Sequence, residues 1–407
     1  MWGMAAVGRQ DPLRKEEMMK AFNYAHPTEI VFGVGRLREV GEVVGRYGKR
    51  CLLVTVPAEG ALGESFERAK RYLAEAGIAV EHFAGVIPNP TTGSISAGAA
   101  MAKAFQADVV LGIGGGSSMD TAKAIAVEVT HPGTAWDYRW CSEKQPTEKT
   151  LPIVAVTTTS GTGSQFSQVA VLTNPAEKTK SAIYNSHVYA KVGIVDPELM
   201  VSVPRHVTAS TGFDVFCHAF ESYLHVNASP YTDLMALEAI RLVAAWLVRA
   251  VDDGADLEAR EAMAWADSLA GLCIANAGVT LPHGIGMTIG GYCPHVMHGE
   301  ALAVTYPEFT RYTYPYAVER FAAVGRILNA ELAREPDAVA AEKACDEIDR
   351  LLKRIGLWLS LEGLRVTEEE VVAIADHSQV LPDYKNNPRV ATRDEILDLL
   401  KQSYRRS

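Results

Sequence analysis

"DVVLGIGGGSSMDTAKAIA" spans Asp108–Ala126 and decides how the first half of the chain folds. An apolar run with the composition of a buried strand leads into Gly114, Gly115 and Gly116, and a helical pattern starts at Ser117–Ser118. A strand that feeds a helix through a glycine turn is the repeating unit of a parallel sheet. The same unit recurs on either side. "RCLLVTV" (Arg50–Val56) reads as a buried strand, and "SFERAKRYLAEAG" (Ser65–Gly77) as a helix stopped by a glycine. "IAVEHFAG" is a further strand, "SISAGAAMAKAFQ" a helix, and "LPIVAVTTTSGTGS" (Leu151–Ser164) a strand running into a second glycine loop. The expected fold is an α/β domain with helices on both faces of a parallel sheet.

Beyond Asp196–Pro197 strand signals nearly vanish. The stretches Tyr231–Val251, Leu257–Gly278, Pro315–Leu332 and Ala341–Gly356 all carry helical period. Two domains are therefore expected, residues 1–203 α/β and residues 204–407 all-helical, with the boundary near Pro204. A length of 407 residues agrees, since it exceeds what one hydrophobic core usually supports.

The net charge of -10 argues against a nucleic-acid surface. Six cysteines without a CxxC pair read as reduced, mostly buried thiols of a cytoplasmic protein. The first twenty residues lack the apolar stretch of a signal peptide and read as a mobile lead-in. From Ser268 to Gly299 there is no charged residue, yet repeated glycines, Pro282 and Pro294 make a poor membrane helix. That run reads as buried and partly helical, bent by its glycines and prolines, with His283 in a "PHG" turn.

Two features suggest chemistry. The turn at Gly114–Ser117 would offer free N–H groups and a helix dipole to a pyrophosphate, although it lacks the GxGxxG pattern; alone it equally suits an ordinary turn capped by Ser117 or Ser118. "TTTSGTGS" (Thr157–Ser164) would lie on the same sheet edge, where open α/β folds bind ligands, and together the loops favour a phosphate-bearing cofactor. The second feature is "TGFDVFCHAFESYLHV", in which Asp214 and His218 stand four apart and share a helix face. An aspartate in such apolar surroundings needs a partner, either the histidine alone or a cation. With His283 and His298 the set would suit Fe²⁺ or Zn²⁺; His295 competes with His298. His225 reads as exposed.

These residues carry a resemblance. "GGGSSMDTAKAIA", "TTSGTGSQFS", "VGIVDPELMVSVP", "TASTGFDVFCHAFESY" and "NPR" (Asn387–Arg389) occur in the order found in the iron-containing (group III) alcohol dehydrogenases, and the likeness covers nearly the whole chain. It implies a dehydroquinate synthase-like fold, with metal and nicotinamide meeting between the domains, and a homodimer. It implies Asp214, His218, His283 and His298 as metal ligands, holding Fe²⁺ or Zn²⁺. Cofactor contacts to NAD or NADP would come from Asn89, Gly115, Gly116, Ser117, Asp120, Thr158, Thr159, Thr162, Ser167 and Lys180. The expected reaction is hydride transfer between NAD(P)(H) and a small alcohol or aldehyde. A lyase of the dehydroquinate-synthase type and a non-catalytic relative are the alternatives.

Three departures from the family pattern matter. Val56 and Pro57 stand where many members have an aspartate that disfavours a 2′-phosphate, with Glu59 as a nearby substitute. Met287 stands where many have a histidine that relays protons. The spacing from His283 to His298 is one residue longer than the commonest pattern.

Overall fold

Alternation along one strand assigns side chains to two cores. In the computed structural model, which describes residues 20–406, Val109–Gly114 form a strand (β4) buried on both faces. Val110 packs into one core, and Val109, Leu111 and Ile113 into the other. A strand covered on both sides reads as a continuous apolar run, as this one does.

Its neighbours are Glu29–Phe32 (β1), Arg50–Val54 (β2), Ala79–Phe83 (β3), Ile153–Thr157 (β5) and Val192–Val195 (β8). Together they form a six-stranded parallel sheet in the order β1-β8-β5-β4-β2-β3. Helices Val40–Gly45 (α1) and Gly60–Glu75 (α2) cover one face; Thr92–Phe105 (α3) and Gly116–Thr130 (α4) cover the other. The strand order reverses between β2 and β4, so the loops after these strands diverge and open a crevice at their carboxyl ends.

Strand–helix alternation did not reveal an antiparallel hairpin, Val169–Asn174 (β6) with Thr179–Tyr184 (β7). It leans on α4 through β6 and reaches the helical half through β7. Lys123 of α4 holds its approach: the buried ammonium donates to Ser164 O at 2.6 Å, Ser167 O at 2.9 Å and Val169 O at 2.6 Å.

After β8 the described chain is helical: Arg205–Leu224 (α5), Pro230–Asp252 (α6), Leu257–Asn276 (α7), Leu281–Tyr292 (α8), His298–Thr313 (α9), Val318–Leu328 (α10), Asp337–Ile355 (α11), Glu368–His377 (α12) and Arg393–Gln402 (α13). α5, α6 and α7 pack together, and α10 lies along α11. The uncharged run forms the end of α7 and all of α8, which meet at 99° inside the helical core. No single helix among the described residues is long and apolar enough to cross a membrane. The cysteines are unpaired, and all but Cys141 are buried. Of the lead-in expected over the first twenty residues, all but Lys20 lie outside the described residues.

One expectation for the uncharged run is corrected. His283 sits in the first turn of α8 rather than in a loop, and four glycines lie within that helix. Interior glycines cost a helix about 0.5–1 kcal/mol each. Here Gly290 and Gly291 let the β6–β7 hairpin come close: a Cβ on Gly291 would lie 2.8 Å from Lys178 O. Packing against the hairpin offsets the lost propensity, and Pro282 at the helix start is compatible with its fixed φ.

The two halves are joined at the loop after β5. Asp267 of α7, fully buried, accepts from Gly161 N at 2.8 Å, Gly163 N at 2.9 Å and Gln165 Nε2 at 2.8 Å. Burial pushes its carboxyl up to about 7, against the pull of those three donors. Gly163, at φ 59°, meets Gly271 of α7 main chain to main chain; a Cβ on Gly163 would lie 2.3 Å from Gly271 Cα. Asp267→Ala strands buried donors at about 1–3 kcal/mol each, so the thermal unfolding midpoint should drop by several degrees, less so for Asp267→Asn. Gly163→Ala should lower it as well. An unchanged midpoint in calorimetry would remove this joint from the account of stability.

Candidate metal and cofactor site

Helices α5, α8 and α9 converge on one point beside the joint. Asp214 and His218 lie one turn apart on α5, His283 opens α8 and His298 opens α9. One ligand atom each of Asp214, His283 and His298 lie within 4.8 Å of one another. His218 joins them from the side: its Nε2 is 3.5 Å from Asp214 Oδ1, as is His283 Nε2, and its ring stacks on that of His283 at 4.7 Å. His295 is exposed and bonded to Leu364 O, away from this group.

The donor set fits a cation. Asp214 Oδ1, His283 Nε2 and His298 Nδ1 are buried atoms without a hydrogen-bond partner, which is costly unless something else satisfies them. Separations of 3.5 Å match two ligands at roughly 2.1 Å from a shared tetrahedral ion, about 3.4 Å apart. The other ring nitrogens are fixed: His218 Nδ1 lies 3.1 Å from Gly161 O, and His283 Nδ1 lies 2.8 Å from Glu221 Oε1. With Nδ1 carrying the proton, Nε2 presents its lone pair inward.

Charge points the same way. Burial would raise the Asp214 carboxyl, but His218 and its neighbours hold it below the usual carboxylate range. Burial disfavours an imidazolium at His283, yet Glu221 and Asp214 raise it to about 10. Burial keeps His298 far below the usual histidine value. Without a metal, a proton on His283 supplies the positive charge that the two carboxylates demand.

A cavity of ≈ 540 Å³ runs from these ligands along the α/β half. Of the expected cofactor residues, Asn89, Gly116, Ser117, Asp120, Thr162, Ser167 and Lys180 line it. Gly115, Thr158 and Thr159 sit in the same two loops but outside its wall. The Asp120 oxygens are engaged by Ser164 Oγ at 2.7 Å and Val171 N at 3.0 Å, so this residue shapes the wall. Lys180 donates to Asn89 Oδ1 at 2.9 Å, and burial lowers its ammonium to about 8. His225 corrects the sequence reading: it is buried and lines the cavity, because α5 ends there and turns its last side chains inward.

Residues 27–197 match the family "Iron-containing alcohol dehydrogenase", and residues 208–404 match "Fe-containing alcohol dehydrogenase family, C-terminal". The chain belongs to the iron-containing alcohol dehydrogenases. It is 35% identical over 382 residues to the NAD-dependent methanol dehydrogenase of Bacillus methanolicus, spanning 94% of this chain and 99% of that one. It is 36% identical over 389 residues to the 1,3-propanediol dehydrogenase of Klebsiella pneumoniae, spanning 95% and 99%. Among solved structures, an archaeal halo-thermophilic Red Sea brine pool alcohol dehydrogenase superposes with a TM-score of 0.91 at 35% identity, covering 95% of this chain and 100% of that one. The sulfoacetaldehyde reductase of Bifidobacterium kashiwanohense in complex with NAD⁺ gives 0.81 at 31%, covering 94% and 98%. The enzyme is thus a nicotinamide-dependent alcohol–aldehyde oxidoreductase.

Sequence reasoning missed Glu221 in this dehydrogenase. It lies seven residues after Asp214 on the same helix face, a spacing that was available as a signal. Its Oε2 accepts from Thr280 N at 2.8 Å, which anchors the start of α8 as well as orienting His283. Met287, one turn beyond His283, is buried and gives the cavity an apolar wall.

Glu221→Gln should weaken metal binding about 10- to 100-fold in a chelator-competition titration, with circular dichroism unchanged. His225 gives a pH test. Burial, with Lys20, pushes it from 6.5 down to about 4. Between those values the unfolded chain holds a proton that the folded chain lacks. Its contribution is therefore complete above the window and lost as pH falls through it, up to about 3 kcal/mol. His225→Gln should flatten the pH 7-to-5 loss of stability relative to the parent.

Proposed function

We propose that Asp214, His218, His283 and His298 hold one divalent ion, iron with zinc as its competitor, and that residues 1–203 carry the nicotinamide cofactor against it. The observation that carries this reading is the set of partnerless buried atoms on Asp214, His283 and His298 at the wall of the cavity. When bound, the ion supplies Lewis-acid polarisation of the substrate oxygen. A bound nicotinamide would supply the hydride acceptor, so that an alcohol would give the aldehyde, the reduced cofactor and a proton released to solvent, with reduction as the reverse.

The remaining work falls to this chain's residues. The N-terminus of α4, with Gly116 and Ser117, would take the pyrophosphate. Thr162, Ser167 and the Lys180–Asn89 pair would position the ribose and nicotinamide. Glu221 and Gly161 O orient His283 and His218. Met287, which cannot carry a proton, stands in place of a histidine relay, so the proton leaves by way of solvent at the cavity mouth. No carboxylate stands at Val56 or Pro57, and Glu59 is exposed at the start of α2 with its side chain uninvolved in capping. On that basis the enzyme should accept NADP(H) as well as NAD(H). A homodimer in the cytoplasm completes the proposal, from the family resemblance and the unpaired thiols.

The test is a screen of small primary alcohols and their aldehydes with NAD(H) and NADP(H), on chelator-stripped protein and after adding Fe²⁺ or Zn²⁺. Turnover should need the metal and vanish in His283→Ala, which should keep its circular dichroism. Full activity in stripped protein would refute the metal assignment. A preference for NAD over NADP above about a hundredfold would refute the reading of Val56 and Pro57.

A further inference from the structure

The cavity continues past the metal ligands to a wall whose polar groups the hydride-transfer reading leaves unused. A short helical turn, Pro382–Asn386, places Asp383 in this wall. Asp383 sits beside Gly284, the residue after His283; a Cβ on Gly284 would lie 3.8 Å from Asp383 Oδ2. Among the described residues no side chain donates a hydrogen bond or an ion pair to this carboxylate. Asp383 is half-buried, with its side chain at the cavity wall.

His225 lines the same cavity with a fixed tautomer. Its Nδ1 accepts from Asn227 N at 2.8 Å, so the ring proton of the neutral imidazole rests on Nε2 as a donor. The segments bearing the two groups are stitched together: Val226 N donates to Asn386 O at 3.1 Å. Ile274, Ala277 and Val279 add apolar wall to the same cavity. A carboxylate acceptor on a braced segment, lining a largely apolar cavity and without a side-chain partner, suits a polar group of a ligand.

We infer that Asp383, with His225, selects substrates that carry a second, hydrogen-bond-donating group, a hydroxyl or an ammonium, beyond the carbinol carbon that reacts. This rests on the proposed oxidoreductase reading of the same cavity. A plain alkanol would leave the carboxylate unpaired, and a site built to bond a group discriminates strongly against the analogue that lacks it. A distal carboxylate on the substrate would be repelled. A hydroxyl suits both groups; an ammonium suits Asp383 alone.

The experiment compares kcat/KM for 1-propanol, 1,3-propanediol, 3-amino-1-propanol and 3-hydroxypropanoate on the metal-loaded enzyme with saturating cofactor, for the parent, Asp383→Leu and Asp383→Asn. The parent should favour the diol or the amino alcohol over 1-propanol at least about tenfold, with the acid slowest. Which of the two leads tells hydroxyl from ammonium. Asp383→Leu should collapse that ratio to within about threefold of one, Asp383→Asn should retain part of it for the diol only, and bound metal by elemental analysis should equal that of the parent. Parent ratios already near one, or ratios unmoved by Asp383→Leu, overturn the inference while the dehydrogenase reading stands. So does loss of metal in the variant, which would make Asp383 a support for His283. No turnover of any of the four by the parent, with either metal and either cofactor, overturns the oxidoreductase reading and the inference with it.

Discussion

One buried carboxylate, Asp267, fixes the relation between the two halves of this enzyme. It belongs to the helical half, yet its oxygens are bonded to main-chain and side-chain donors in the loop after β5 of the α/β half. The same loop offers Gly161 O to His218. The position of His218, a proposed metal ligand, is therefore set by a loop of the α/β half, held in turn by the helical half. Ligand geometry and cofactor-loop geometry are parts of one hydrogen-bonded circuit, and a shift in either reaches the other through two bonds.

Burial of charge organises the remainder. Asp214, Glu221 and Asp267 are all buried, and each is compensated differently: Asp214 by histidines and, in the proposed holoenzyme, an ion; Glu221 by His283 and Thr280; Asp267 by main-chain donors. On the opposite side of the joint, Lys123 is compensated by carbonyl oxygens, the Ser164 hydroxyl and the nearby Asp120 carboxylate. Such groups tolerate little displacement, since an unpaired buried charge costs several kcal/mol.

Local features of the sequence were legible. The glycine turn after β4, strands β2 to β5 and helices α2 to α4 follow from periodicity, because each signal lies within a dozen or so residues. The Asp214–His218 pair follows from helical spacing. The assembly of all four ligands did not follow from spacing; it came from the likeness of long motifs, and the geometry then brought them together. What stayed hidden was long-range. The partners of Asp267 lie more than a hundred residues away, and Glu221 reaches His283 across 62 residues. The β6–β7 hairpin escaped because strand–helix alternation leads to crossover connections. His283 was misplaced into a turn because glycine and proline lower helix propensity, and only the nearness of the hairpin explains why that helix survives.

The meeting of Gly163 and Gly271 has an evolutionary consequence. Where two side chains touch, a methylene added or removed moves the partners by fractions of an ångström, and the gap between two domains can drift gradually. Here main chain rests on main chain. The closest approach is set by the radii of backbone atoms, and there is no smaller residue to substitute and no larger one that fits. Descendants of this enzyme can vary the pocket, the glycine loops and the surface stepwise, but the spacing at this joint admits only abrupt change, which pins the loop after β5 against the helical half while everything around it diversifies.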